Sequence, residues 1–128
     1  MRDLIHSVGV VPVLAPAVLS ATTTSDPIDR IGFESAVLVI NTGAIAGAGD
    51  FTAKLQESDT NTSEDFTDVV APDLIGAFPA SLAANSEVKV GYQGTKRYLR
   101  AVITKAGGTS IAAGMVLIKG HAHHRPVA

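Results

Sequence analysis

The sequence of 128 residues has no cysteine and no tryptophan, and only 5% of it is aromatic. Without cysteine it has no disulfide, no thiolate metal site and no thiol nucleophile, a composition that fits synthesis in a reducing cytoplasm. Charge is scarce as well. Asp, Glu, Lys and Arg make up 17% of the chain, with a net charge of −2, against about a quarter in an average soluble domain. No basic field exists to draw nucleic acid or an acidic membrane surface, so neither is expected as a partner. No G-x-S-x-G elbow occurs, and His6 is the one histidine outside the C-terminal tail, which leaves hydrolytic catalysis without support. The longest apolar run, near the N-terminus, is too short for a membrane-spanning helix.

What is present is aliphatic. Hydrophobic residues make up 46% of the chain, with twelve glycines, and the mean hydropathy is +0.29. One domain of this length holds a single core. So little charge beside so much Ala, Val and Ile predicts that part of the surface is hidden against other chains.

The chain is organised around Asp50–Val70. Phe51, Ala53 and Leu55 alternate with Thr52, Lys54 and Gln56, the period of a half-buried strand. Glu57–Asp65 has no large apolar residue and reads as an exposed loop. Phe66, Val69 and Val70 open the return strand of a hairpin. Further strands are expected at Ile31–Asn41, whose continuous Ala36–Ile40 run suits burial on both faces, and at Glu87–Tyr92, Arg97–Thr104 and Ile111–Lys119. Thr42–Gly49 reads as a Gly-rich turn, Lys105–Ser110 as a Gly-Gly hairpin turn, and Gly114 as a bulge. Ala71–Asn85, with Pro72 and Pro79, reads as a loop with room for one helical turn.

Met1–Ser20 has the look of a secretory signal, but Asp3 cancels Arg2, and Pro12 and Pro16 interrupt the apolar run. It is expected to be an extended arm or a first strand, packed in its own chain or against a neighbour. Residues 21–120 form the body and 121–128 a tail. About seven strands and no amphipathic helix predict an all-β domain, a single β-sandwich of jelly-roll type. The candidates for inter-chain contact are Leu4, Ile5, Val8, Val10, Val11, Val13 and Leu14 of the arm, the basic Arg97 and Arg100, and His121, His123 and His124 of the tail.

Several motifs invite a chemical reading. Thr42–Gly49 followed by Tyr92-x-x-x-Lys96 matches the glycine turn and Tyr–Lys pair of short-chain dehydrogenases. However, strand-period residues follow the glycines where a helix must begin, so no cofactor or small-molecule substrate is expected. Asp59-x-Asn61-x-Ser63-x-Asp65 has the oxygen spacing of a calcium loop, but Glu64 stands where the turn needs glycine and Val70 where it needs a bidentate carboxylate. The tail histidines lack the fixed geometry of a metal site. Lys96, Arg97 and Arg100 fit a salt bridge to the acidic loop, or to an acidic surface of a partner, better than a phosphate-binding patch.

Taken together, FTAKLQESDTNTSEDFTDV, VGYQGTKRYLRAVIT and GTSIAAGMVLIKG resemble a group of small structural proteins of tailed phages and prophages, over roughly Ile31 to Gly120. The resemblance implies a decoration or cement protein of the capsid. Such a protein, made in the host cytoplasm and placed on the virion surface, has the major capsid protein and its own copies, in a homotrimer, as partners. A head–tail connector, tail-tube or tail-terminator subunit is the alternative within the virion. A carbohydrate-binding β-sandwich is the alternative outside it.

Overall fold

The computed structural model describes residues 3–124. The strands are β1 (Gly9–Leu19), β2 (Thr23–Thr24), β3 (Ile28–Asp29), β4 (Phe33–Ala46), β5 (Asp50–Ser58), β6 (Thr67–Asp68), β7 (Leu74–Ile75), β8 (Glu87–Tyr92), β9 (Tyr98–Gly107) and β10 (Ser110–Ala122). Two single 3₁₀ turns, Ser63–Asp65 and Ala71–Asp73, interrupt the loops. One sheet has the order β1-β10-β4-β8-β7. The other has β2-β9-β5-β6, with β3 also on β9, and all pairings are antiparallel. The all-β sandwich expected from the sequence is therefore present. The seven expected strands correspond to β1, β4, β5, β6, β8, β9 and β10. The additional β2, β3 and β7 are two residues each, too short to carry a period.

The register reveals the organising device. β10 pairs with β4 from Ala122↔Phe33 to Ser110↔Ala46, and β9 pairs with β5 from Gly107↔Asp50 to Tyr98↔Ser58. Residues 33–58 and 98–122 are thus one long antiparallel ribbon, bent in its middle so that its halves lie in different sheets. Lys105–Ser110 is consequently not a hairpin turn. It carries the chain from one sheet to the other, as Gly47–Gly49 does on the companion strand. A Gly-Gly pair between two strands signals a tight turn but not whether those strands pair.

Side chains from the two halves of the ribbon fill the space between the sheets. Ala36, Leu38 and Ile40 of β4 and Ile111, Ala113, Met115 and Leu117 of β10 meet Phe51, Ala53 and Leu55 of β5 and Leu99, Ala101 and Ile103 of β9. Alternation decides which side chain is core, so three sequence expectations change. Ala36–Ile40 is not buried on both faces: Leu38 and Ile40 are buried while Val37 and Val39 are half-exposed, because no layer covers the outer side of this sheet among the described residues. Thr42–Ala46 is strand rather than turn, held by pairing to β10. The period of β5 also runs one step beyond Leu55, so Glu57 points inward and is 8% exposed.

Gly114 is not itself bulged. The irregularity lies opposite, in β1, where the pairing steps from Leu14↔Met115 to Ala17↔Ala113. Pro16 of that bulge sits over Gly114 so closely that a Cβ there would lie 3.1 Å from Pro16 Cγ and 3.2 Å from its Cα. The N-terminal segment thus enters the sheet as its edge strand. Val11, Val13 and Leu14 pack half-buried against the chain's own core.

Candidate functional site

No set of side chains converges for catalysis where the motifs suggested it. Thr42–Ala46 is β-strand and opens no helix. Thr42 is buried, and its hydroxyl donates to Ala83 O at 2.6 Å. Tyr92 and Lys96 do meet, but through the Lys96 backbone N–H, which donates to the Tyr92 hydroxyl at 3.1 Å. The Lys96 ammonium reaches the acidic loop, 2.7 Å from Asp59. That contact is the expected salt bridge, and it places a lysine where a calcium ion would neutralise the loop. Asp65 accepts from Thr60 Oγ1 at 2.6 Å. Among the described residues no three acidic or histidine side chains gather as metal ligands.

The buried polar groups form a clasp between the sheets. Tyr92 of β8 is 2% exposed and donates its hydroxyl to Glu57 Oε1 of β5 at 2.6 Å. Arg30, itself buried, lies 5.0 Å from the Tyr92 ring centroid, and donates to Lys96 O at 2.6 Å and Gly94 O at 3.0 Å. Burial, and then the hydrogen bond to Glu57, push the Tyr92 phenol well above its ordinary pKa. The hydroxyl-bonded core aromatic is thus Tyr92, whereas Tyr98 is half-buried with Arg97 over its ring.

Two surfaces remain for partners. The first is one end of the sandwich. The pairings Gly9↔Lys119 and Ala122↔Phe33 bring the start of β1, the end of β10 and the start of β4 together there. Leu4, Ile5 and Ile31 are exposed, and Val8 is half-buried. His121 and His123 are not in a free tail: β10 runs through Ala122, the His121 ring nitrogen lies 2.8 Å from Ser35 Oγ, and His123 contacts the Glu34 carboxylate. His124 is exposed beside them, and residues 125–128 of the expected tail lie outside the described residues. Arg97 is held by Asp29 through Nε (2.9 Å) and Nη2 (2.7 Å). Arg100 lies apart from this end group. It stacks over Phe66 and bonds Gln56 and Ser63, fixing the acidic tip.

The Asp29–Arg97 pair makes a testable contribution at low pH. The Arg97 hydrogen bond, helped by the Ile31 N–H and the arginine's charge, lowers the Asp29 pKa below 3.8. A carboxyl with a depressed folded-state pKa stabilises the fold above its unfolded value, and that stability is lost as pH falls. Both partners are more than a third exposed, so the effect is small. Asp29→Asn is expected to be slightly less stable than wild type at pH 7. The gap should close as pH falls below 3.8, as read by urea midpoints across that range.

The second surface is the outer side of the larger sheet. Val10, Pro12 and Val18 of β1 face outward beside Ala112, Gly114, Val116 and Ile118 of β10, and Val37, Val39, Asn41 and Gly43 of β4 follow. Val10 and Val18 are 61% and 70% exposed. None of these positions carries a charge, and Asn41 alone has a polar side chain. Gly114, Gly43 and the Pro16 bulge leave a groove of about 530 Å³ in the face. Neither surface displays an aromatic platform, since none of the chain's six aromatic residues is exposed. Sequence reading missed this face because the outward valines were assigned to a doubly buried strand. Counting the alternate positions of β4 and β10 for charge would have found it.

No protein-family model and no curated protein matches the chain. Among solved structures it is similar to the SPBc2 prophage-derived protein YomS, at 10% identity and a TM-score of 0.52, over 87% of this chain and 92% of that one. It is also similar to a chain of infectious bursal disease virus, Gx strain, at 17% identity and a TM-score of 0.48. That match covers 93% of this chain but 33% of the viral one. A protein of the disulfide-linked pili of Bacillus endospore appendages matches at 13% identity and a TM-score of 0.45, over 89% and 88% of the two chains. With the prophage-derived protein the chain shares its fold.

Proposed function

We propose that the protein is a structural subunit of a phage virion that decorates and cements the capsid. The observation that carries this reading is the end of the sandwich where exposed Ile31 lines one recess with Arg97 and His123, next to the start of β1, which follows exposed Leu4 and Ile5 in the chain. A partner there gains apolar contact at its centre and polar contact at its rim, the anatomy of a protein interface. The sequence resemblance to phage head proteins and the fold shared with a prophage-derived protein support the same reading. Binding the assembled shell but not its free subunits stabilises the shell by mass action, and many sites on one lattice add avidity. The carbohydrate-binding alternative is disfavoured because sugar stacking needs exposed aromatic rings, and none is exposed.

The test is the copy number relative to the major capsid protein in purified particles, by quantitative mass spectrometry. The expected result is a ratio near one per capsid subunit, or one oligomer per local symmetry axis. A dozen copies or fewer per particle would place the protein in the neck or tail instead, and none would remove it from the virion.

A further inference from the structure

We infer that the outer face of the β1-β10-β4-β8 sheet is a self-association surface, closed by a second copy of this chain across a twofold axis. The argument begins with charge. Charged residues make up 17% of the chain, yet the outward positions of three adjacent strands carry none. Glu87 and Lys89 of β8 stand at the margin. A charge-free centre with a polar margin is the pattern of a buried interface. In a twofold contact each patch meets its own copy, so any charge near the axis would face its like. An uncharged face avoids that repulsion.

Shape and area agree. β1, β10 and β4 are 11, 13 and 14 residues long; at about 3.3 Å per residue and about 4.8 Å between strands they present roughly 600 Å² per copy, so two copies bury about 1,200 Å², the lower bound of a stable interface. The face has a depression at Gly114 and Gly43, and Val10, Ile118 and Val37 form a row of branched side chains across its three strands. In the twofold arrangement proposed, the row of each copy lies over the depression of the other. Sheets that pack face to face in this way interdigitate their outward side chains. This inference uses a surface other than the end that holds the histidines, and its twofold dimer replaces the homotrimer that the resemblance to phage head proteins implies.

The experiment is sedimentation velocity of the full chain from micromolar to 100 µM concentrations, with Val39→Lys, which puts an ammonium in the uncharged face beside Lys89, its neighbour on β8. Wild type is expected as a dimer, and Val39→Lys is expected to weaken the dimer by about a hundredfold, because a charge is buried without a partner on each side of the axis. Thr52→Lys, outward on the other sheet, should leave the dimer unchanged. Should Val39→Lys fail to fold, Val116→Cys supplies the chain's single thiol. Mild oxidation should then link two copies through this face far faster than a Thr52→Cys variant links. A monomeric or trimeric wild type, a Val39→Lys dimer of undiminished affinity, or equal linking by the two thiols would overturn the inference. Copy number in particles leaves it untouched, and the capsid reading can fail while the dimer stands.

Discussion

Gly108→Ala is expected to cost about 4 kcal/mol or more, an exceptional loss for one methyl group and a large share of a small domain's stability. Gly108 has φ +75°, where an L side chain is strained. A Cβ there would also run into the Ala48 carbonyl and Gly49 Cα. Those atoms belong to the companion crossing of the bent ribbon, and they are backbone, so no rotamer change relieves the clash. The two crossings would have to separate, with β4, β5, β9 and β10 pulled apart at the point where the sheets join. Gly107, one residue earlier, is the control. Nothing lies within 4 Å of a Cβ there, so Gly107→Ala should change stability by less than about 0.5 kcal/mol. Thermal or urea unfolding of the pair checks the contrast. Equal effects at both positions would mean that the bend is not held by this contact.

The second large effect belongs to the clasp. Tyr92→Phe is expected to destabilise the protein by about 2–3 kcal/mol at pH 7, because it leaves the buried Glu57 carboxyl and the Lys96 N–H without their shared partner. The pH dependence carries a further signature. Burial and the Glu57 hydrogen bond raise the folded-state pKa of the phenol above its ordinary value of 10.0. A group with a raised folded-state pKa gives its full stabilisation below the unfolded value and loses it as pH rises. Wild-type stability should therefore fall above pH 10, by up to about 1.4 kcal/mol per pH unit for this one proton. Tyr92→Phe lacks that contribution, so its curve should be shallower by that share. Parallel curves for the two proteins above pH 10 would refute the assignment.

Much of this architecture was legible in the sequence because alternation is a strong signal. Phe51, Ala53 and Leu55 stand on the apolar face that the alternation of β5 predicts, and all three are buried. The hairpin of β5 and β6 with its polar tip was likewise readable. What escaped has physical reasons. Glu57 was read as exposed because a carboxylate so rarely faces a core. Yet it continues the inward period by one step, and its partner Tyr92 is 35 residues away. The route of the ribbon escaped because glycine reports a local bend and not the sheet to which each strand goes. The loop acids suggested calcium until Lys96, 37 residues from Asp59, was brought beside them. In each case the missing fact was a pairing distant in the chain.

The margins of the two sheets have a consequence for behaviour at high concentration. β7 and β6 close one side of each sheet with two residues apiece, and β2 and β3 border β9 in two short pieces. The edge strand β1 has prolines at positions 12 and 16 and a stepped register. A strand arriving from another molecule along β1 therefore finds no continuous row of free amides to copy. On this side of the larger sheet, crowded copies meet through the face and the ends instead of through the ladder. Growth from β1 into cross-β fibres should be blocked, whatever the concentration.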